Sequence, residues 1–446
     1  MPDQHTIDGD GRAPSTSRRA PRALMERPTA HQLVRIRRLL EHTYVNNPFY
    51  RTKYRAAGIH SLAALREALR TADGFRCLPL TTKGELLDDQ AAHPPYGTNL
   101  AASPRDFVRQ HRTSGTTGRP LKVWDTRASW RWMTGLWLQQ LRALDISATD
   151  TVFMAFNFGP SLGFWNSLDA AMQIGALTLS GGGLTSVQRV EAIVDNRATV
   201  LIGTPSYALR LAETAAEHGI DPATSQVRAI IAAGEPGASI PSIRDRIERR
   251  WSARLFDSPG ATEVGHTGLA CLHQHVHINE SGFCVEMIDA TTSKPATPGQ
   301  AAEIVVTNFG RPATPVIRYR TGDMARAVYN RCACGRITMR LDGGILGRSD
   351  DMFIVRGLNV FPSAIEAVIR ESDDVMEYAV EVLRDREMAS LKVRLEVNPA
   401  ARAVNRVADQ IKEALHRRLY VKAETEVVPP HTLPRFDGKA ARVVCR

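Results

Sequence analysis

Residues 111–122 read His111-Arg112-Thr113-Ser114-Gly115-Thr116-Thr117-Gly118-Arg119-Pro120-Leu121-Lys122, four hydroxyl side chains and two glycines between a polar strand end and a short apolar run. Glycine reaches backbone angles closed to other residues, so amide N–H groups around Gly115 and Gly118 can approach a ligand, while Thr113, Ser114, Thr116 and Thr117 add hydroxyl donors. That donor set suits phosphate oxygens, and a nucleoside triphosphate fits it. The spacing is not GxxxxGK[ST], because Gly118 is followed by Arg119 and Pro120, which disfavours a P-loop NTPase. Taken alone, the stretch is equally an ordinary surface turn.

Its companions decide between the two. Downstream come Gly260-Ala261-Thr262-Glu263, Tyr319-Arg320-Thr321-Gly322-Asp323, Gly347-Arg348-Ser349-Asp350-Asp351-Met352, and Gly438-Lys439 close to Arg446. That order and spacing resemble the adenylate-forming ligases, the acyl-CoA synthetase superfamily. Leu78-Pro79-Leu80-Thr81-Thr82-Lys83, Arg356-Gly357-Leu358-Asn359-Val360-Phe361-Pro362 and Leu433-Pro434-Arg435 look like its phenylacetate-CoA ligase branch. The resemblance runs from about residue 30 to 446. It implies an α/β fold: a large N-terminal adenylate-forming domain of layered sheets and helices, plus a small mobile α+β C-terminal domain.

Composition agrees with a folded protein of more than one domain, since 446 residues at 43% hydrophobic content suffice for sizeable cores. No run of about 18 apolar residues occurs, so no membrane partner is expected. Residues 1–28 are polar, with Pro, Ser and Arg where a secretory segment would be apolar, and read as a disordered lead. The net charge of +10 comes from scattered Lys and Arg without a nucleic-acid module, and suits polyanionic ATP and CoA instead. Six cysteines in so long a chain make no disulfide framework, so a reducing cytoplasm is the expected compartment. A homodimer stays an open option.

Leu33, Ile36, Leu39 and Leu40 recur at helical spacing until Asn46-Asn47-Pro48 interrupts them. From about 150 to 307, short apolar runs (151–156, 200–202, 229–232, 303–306) alternate with helical stretches such as 187–196 and 207–217, which predicts α/β layering. Leu391 to Val397 alternates as a half-exposed strand, and 401–420 reads as an amphipathic helix. Between these bodies 343–351 is rich in glycine and charge, as expected of a linker. The expected units are thus 1–28, 29–347 for ATP and the acid, and 348–446 as a lid with the catalytic lysine.

Activating a carboxylate with ATP requires shielding of the triphosphate, a metal bridging its oxygens and a cation at the forming acyl-phosphate linkage. By the resemblance, Thr113 to Gly118 grips the outgoing pyrophosphate, Glu263 beside Thr262 binds Mg²⁺, and Gly234-Glu235-Pro236 walls the adenine. Asp323 and Arg348 would hold the ribose, although Arg348 could also be a linker arginine paired to Asp350 or Asp351. Lys439 would be the catalytic cation, Asp350 the hinge, and Arg356 and Gly357 the CoA tunnel lining. A separate group, Cys271, His277, Cys332 and Cys334, supplies thiolates and an imidazole suited to a closed, structural Zn²⁺ site. The intervening His273 and His275 could simply lie on an exposed strand face.

The branch carries an aromatic residue before its Gly-x-Thr-Glu that packs on adenine; here Asp257-Ser258-Pro259-Gly260 puts Pro259 there. Phe156, Phe158 and Trp165, with Ser258 and Pro259, are candidates for the acid pocket, and Gly181-Gly182-Gly183 for a close substrate approach. The expected activity is ATP-dependent adenylation of a small aromatic acid followed by transfer to CoA. The alternatives are an adenylating enzyme with another acceptor (an amine, a carrier-protein thiol or nitrite) and a non-catalytic nucleotide-binding regulator.

Overall fold

The computed structural model describes residues 28–113, 118–159, 162–355, 358–385, 388–401, 403–436, 440 and 442–445. Ser114 to Thr117, Arg356, Gly357, Lys439 and nearly all of the expected lead fall outside the described residues.

Five short strands form a parallel sheet in the order Leu177–Ser180, Thr151–Met154, Val200–Gly203, Ala229–Ala232, Arg254–Asp257. The helices Leu162–Gln173, Ser186–Asp195, Pro205–Glu217 and Pro241–Trp251 connect them. Both faces of the inner strands are covered, which is why Val200–Gly203 and Ala229–Ala232 are continuous buried runs, apolar but for the terminal glycine. Phe153, Leu201, Ile230 and Leu255 pack with Val190, Leu211 and Ile247 on one side. Their neighbours Val152, Met154, Ile202 and Ile231 pack with Trp137, Leu141 and Ala170 on the other. All the carboxyl ends of the strands therefore point to one edge, where ligands bind in open α/β sheets.

A second, antiparallel sheet of six strands runs Gly268–Ala270, Val276–Ile278, Arg340–Arg348, Tyr319–Val328, Ala301–Asn308, Phe283–Ile288. Two sequence expectations are corrected here. The apolar run 303–306 belongs to this antiparallel sheet and not to the α/β alternation. The glycine-rich stretch from 343 to 348 is no free linker but the end of the strand Arg340–Arg348, bulged against its partner, with Gly343 and Gly344 at φ of +74° and +68°. A Cβ on Gly344 would lie 2.4 Å from Ser239 Oγ, so the glycine allows the close approach of strand to sheet edge.

The N-terminal helices Ala30–Asn46 and Pro48–Ala56 are separated by Asn47, which ends one and caps the other by accepting from Tyr50 N–H at 3.1 Å. The segment from Leu78 to Lys83 runs beneath the second sheet. Thr81 N–H donates to Arg318 O at 2.9 Å and Arg320 N–H to Thr81 O at 2.8 Å, so this motif holds the strand that carries Asp323.

Beyond residue 350, Met388–Val397 and Val375–Asp385 form the centre of a four-stranded sheet, flanked by Lys422–Val428 and Val443–Cys445. The helices Pro362–Ile369 and Val404–Leu419 close a core of Ile365, Tyr378, Leu395, Ile411 and Leu415. This small body has its own apolar centre, and much of its contact with the large one is polar. Arg246 Nη2 donates to Val375 O at 2.7 Å, Ser242 Oγ to Ala367 O at 2.9 Å, and Arg249 pairs with Asp373 at 2.7 Å. Among the described residues no helix is long and apolar enough to cross a membrane.

Candidate active site

The hairpin of Phe107–Arg112 and Lys122–Thr126 carries the hydroxyl and glycine loop. At its mouth Thr113 N–H donates to Leu121 O and Thr113 Oγ1 accepts from Leu121 N–H, both at 3.0 Å. Thr113 thus closes the loop, a task that occupies one face of its hydroxyl. Gly118 has φ +122° and open space where a Cβ would sit.

Glu263 lies on the turn between Gly260–Ala261 and Gly265–His266. Tyr319 OH donates to its Oε1 at 2.7 Å. Burial, with the adjoining Glu263 charge, pushes the Tyr319 phenol well above its usual range, so it stays a donor. The turn itself is pinned from behind. Arg311 Nη1 donates to the carbonyls of Thr262 and Glu263 at 3.0 Å each, while its other nitrogens form a bidentate pair with Asp125 at 2.9 and 2.8 Å. Arg311 and Asp125 are fully buried, and they are the two site residues that sequence reasoning missed. Their only signal would have been charge in apolar surroundings.

Asp323 and Arg348 are directly opposite in the antiparallel pair of strands. Arg348 Nη1 is 3.4 Å from Asp323 Oδ1, and its Nε and Nη2 grip both oxygens of Asp350 at 2.8 and 2.9 Å. Arg348 thus links Asp323 to Asp350, and the alternative expected of it, a linker arginine paired to Asp350, is the pairing seen. Gly322, at φ +77°, passes beneath that guanidinium.

Phe156, Phe158 and Trp165 form one aromatic group: Phe156 is 5.1 Å from Phe158, which is 4.8 Å from Trp165. Phe156 is buried and stacks on Phe164 at 3.8 Å, so it belongs to the core edge, with Phe158 and Trp165 outward of it. Gly181 serves packing: a Cβ there would meet Met154 O at 2.7 Å. Ser258 is buried with its Oγ 3.4 Å from His266 Nδ1, and His266 stacks on Trp137 at 4.4 Å. Burial lowers the His266 imidazole to about 3, keeping it neutral. Pro259 O accepts from Gly268 N–H at 3.0 Å, and its ring fills the space a side chain at Gly268 would need. Nearby, burial raises the Asp257 carboxyl to about 6 although Ser239 Oγ donates to it.

Gly234 turns the chain after Ala229–Ala232 at φ +96°. The Glu235 carboxylate reaches across to Ser206 N–H at 2.9 Å and Ala440 N–H at 2.8 Å.

At the edge of the second sheet formed by Gly268–Ala270 and Val276–Ile278, one donor atom each from Cys271, His277, Cys332 and Cys334 lies within 4.8 Å of the others. Cys271 Sγ is 4.0 Å from Cys332 Sγ, and Cys334 Sγ 3.5 Å from His277 Nε2. A tetrahedron with Zn–S bonds of about 2.3 Å has sulfur edges of about 3.8 Å, so the 4.0 Å between Cys271 and Cys332 is close to that spacing. Two tight turns, with Gln274 at φ +59° and Gly335 at φ +88°, shape this cluster. His277 Nδ1 faces Thr338 Oγ1 at 3.2 Å, a partner that fixes the ring. His275 Nδ1 also approaches Cys332 Sγ at 3.2 Å.

The AMP-binding enzyme family matches residues 35–310, and the AMP-binding enzyme C-terminal domain matches residues 357–446. The chain is 32% identical to the phenylacetate-coenzyme A ligase of Aromatoleum evansii over 94% of both proteins. It is 31% identical to that of Escherichia coli K12, over 93% of this chain and 94% of the relative. Among solved structures, 2-hydroxyisobutyryl-CoA ligase in the postadenylation state with 2-HIB-AMP superposes with a TM-score of 0.88 at 28% identity, covering 99% of this chain and 95% of that one. The same enzyme with CoA in the thioesterification state gives 0.69 at 29% identity over 98% and 95%. The drop fits two similar bodies turned relative to one another, and the present arrangement is near the first state. The chain belongs to the AMP-binding, adenylate-forming enzymes, among the relatives of the phenylacetate-coenzyme A ligases.

Proposed function

We propose that the protein uses ATP to adenylate a small aromatic carboxylic acid and then transfers the acyl group to CoA. The observation that carries this reading is the grouping of Glu263, Asp323 and Arg348 around Tyr319, with Ala440, next in sequence to Lys439, hydrogen-bonded to Glu235 of the large body. Glu263, with one oxygen held by Tyr319, keeps lone pairs for Mg²⁺, which would neutralise charge on the phosphates. Asp323 supplies acceptors for ribose hydroxyls and Arg348 orients them. Ser114 to Thr117 shield the triphosphate, and Lys439 offers a compact ammonium to the carboxylate and α-phosphate as charge develops. The acid lies along Phe158, Trp165, Ser258 and Pro259. After adenylation the small domain turns about Asp350, bringing Arg356 and Gly357 to line the path of pantetheine. Cys271, His277, Cys332 and Cys334 hold a structural Zn²⁺, with no open position for catalysis. We place the domain boundary at 347/348 and the protein in the cytoplasm.

Pyrophosphate release from ATP across a panel of aryl acids and nitrite, each with and without CoA, followed by mass spectrometry, tests the proposal. An acyl-CoA from one acid is the expected result. Pyrophosphate and AMP without a thioester would move the acceptor elsewhere, and no turnover would leave the regulatory reading. Lys439→Ala should abolish pyrophosphate release while ATP binding persists; surviving release would overturn the role given to Lys439.

A further inference from the structure

The helix Pro205–Glu217 begins with Thr204, whose Oγ1 accepts from Tyr207 N–H at 3.2 Å. Pro205 has no N–H, so Ser206 N–H is the remaining unsatisfied donor of this turn, at the positive end of the helix dipole. The carboxylate that satisfies it is Glu235, from the turn after the next strand, with Oε1 at 2.9 Å. Its other oxygen accepts from Ala440 N–H at 2.8 Å, a donor of the small body 205 residues away in sequence. A second link runs in parallel: Arg442 Nη1 donates to Ser206 Oγ at 2.8 Å, while its Nε and Nη2 hold Glu377 at 2.6 and 3.0 Å. Ser206 is therefore tied by its N–H, through Glu235, and by its hydroxyl to two residues of the C-terminal strand segment. Ala440 shares its peptide bond with Lys439, so the hydrogen bond to Glu235 acts on the backbone that carries the ammonium.

We propose that Glu235 is a positioning residue for the adenylation half-reaction, clamping the peptide after Lys439 to the first turn of the helix Pro205–Glu217, and that this clamp opens when the small domain turns for thioester formation. The proposal rests on the adenylation reading above. Both Glu235 oxygens are engaged by main-chain N–H groups, so the adenine wall expected of 234–236 is left to its backbone and neighbours, and the carboxylate touches no reacting atom. Its removal therefore affects the first half-reaction and spares the second, which uses the other pose. A misplacement of about 1 Å at a reacting group costs on the order of 100-fold in rate, which sets the expected range.

Full-length wild type, Glu235→Ala and Glu235→Gln would be compared in three assays: single-turnover pyrophosphate release, acyl transfer to CoA from supplied acyl-adenylate, and hydrogen exchange at Ala440 read by fragmentation mass spectrometry. The expected result is a roughly 10- to 100-fold loss of adenylation in Glu235→Ala, transfer to CoA within about twofold, and an intermediate loss in Glu235→Gln, which keeps one acceptor oxygen. Ala440 exchange should accelerate in Glu235→Ala. Equal losses in both half-reactions would mean a merely structural role, and no loss in either would also overturn the proposal. The exchange arm needs no turnover. If wild type activates no acid, the functional reading fails, while unchanged Ala440 exchange would separately refute the clamp.

Discussion

Replacing Asp125 with alanine strands the Arg311 guanidinium in a site where neither side chain has any exposure. Arg311 would lose two charge-assisted hydrogen bonds, at 2.9 and 2.8 Å, and keep only its bonds to the carbonyls of Thr262 and Glu263. Breaking a buried pair from one side costs about 3–5 kcal/mol because an uncompensated charge remains. For a body of about 320 residues, with an unfolding entropy of about 0.7 kcal/mol/K, that corresponds to a fall in Tm of roughly 4–8 °C. Arg311→Met leaves the opposite charge stranded and should cost about as much. The double variant Asp125→Leu, Arg311→Met removes both charges and should recover most of the lost stability. Activity separates the roles: without Arg311 the turn bearing Glu263 loses both carbonyl anchors, so the double variant should refold its stability but not its pyrophosphate release. Scanning calorimetry with the adenylation assay measures both. If either single variant melts within about 2 °C of wild type, or the double variant is as unstable as the sum of the singles, the reasoning from a stranded charge is wrong.

Gly322→Ala would place a Cβ 2.7 Å from Arg348 Nη2 at a φ of +77°, and should raise the KM for ATP about tenfold or more, as strain of 1–3 kcal/mol displaces the proposed ribose contacts Asp323 and Arg348; an unchanged KM would detach Arg348 from nucleotide binding. Asp257 gives a pH signature: with its carboxyl raised from the ordinary 3.8 to about 6 by burial, the folded protein holds a proton that the unfolded chain releases, so stability declines as pH rises between those values. Asp257→Asn should accordingly stabilise at pH 7 to 8, on the order of 3 kcal/mol, with most of the gain gone by pH 4; a gain constant across that range would mean that the charge is not its source. Chelation followed by metal analysis should remove about one zinc per chain and lower Tm, whereas a metal-free preparation of equal stability would eliminate the Cys271, His277, Cys332 and Cys334 site.

Much of the layering is legible in residue order because a doubly covered parallel sheet needs unbroken apolar strands, and 229–232 and 200–202 are such runs. The antiparallel strand Ala301–Asn308 carries the same composition since it too is buried over most of its length, so periodicity alone cannot assign it to a sheet. The glycines from 343 to 347 looked like a linker for a similar reason: glycine marks both hinges and bulged strands, and only the contact of Gly344 with Ser239 distinguishes them. At the site, motifs place Asp323 and Arg348 together, and spacing nominated four metal donors that the fold gathers. Asp125 and Arg311, 186 residues apart, bear no motif, because a buried ion pair is defined by its surroundings and not by its neighbours in sequence.

The small domain's self-contained core has a consequence for how such an enzyme diversifies. Its apolar side chains pack with one another within residues 353–443, while hydrogen bonds and ion pairs such as those of Ser242, Arg246 and Arg249 recur along the seam with the large domain. Parting polar groups into water costs far less than exposing a hydrophobic face, because water replaces the lost partners. The small domain is thus an exchangeable cartridge: residues in the large body can drift, and the small one can be exchanged, without any core having to be rebuilt at the seam.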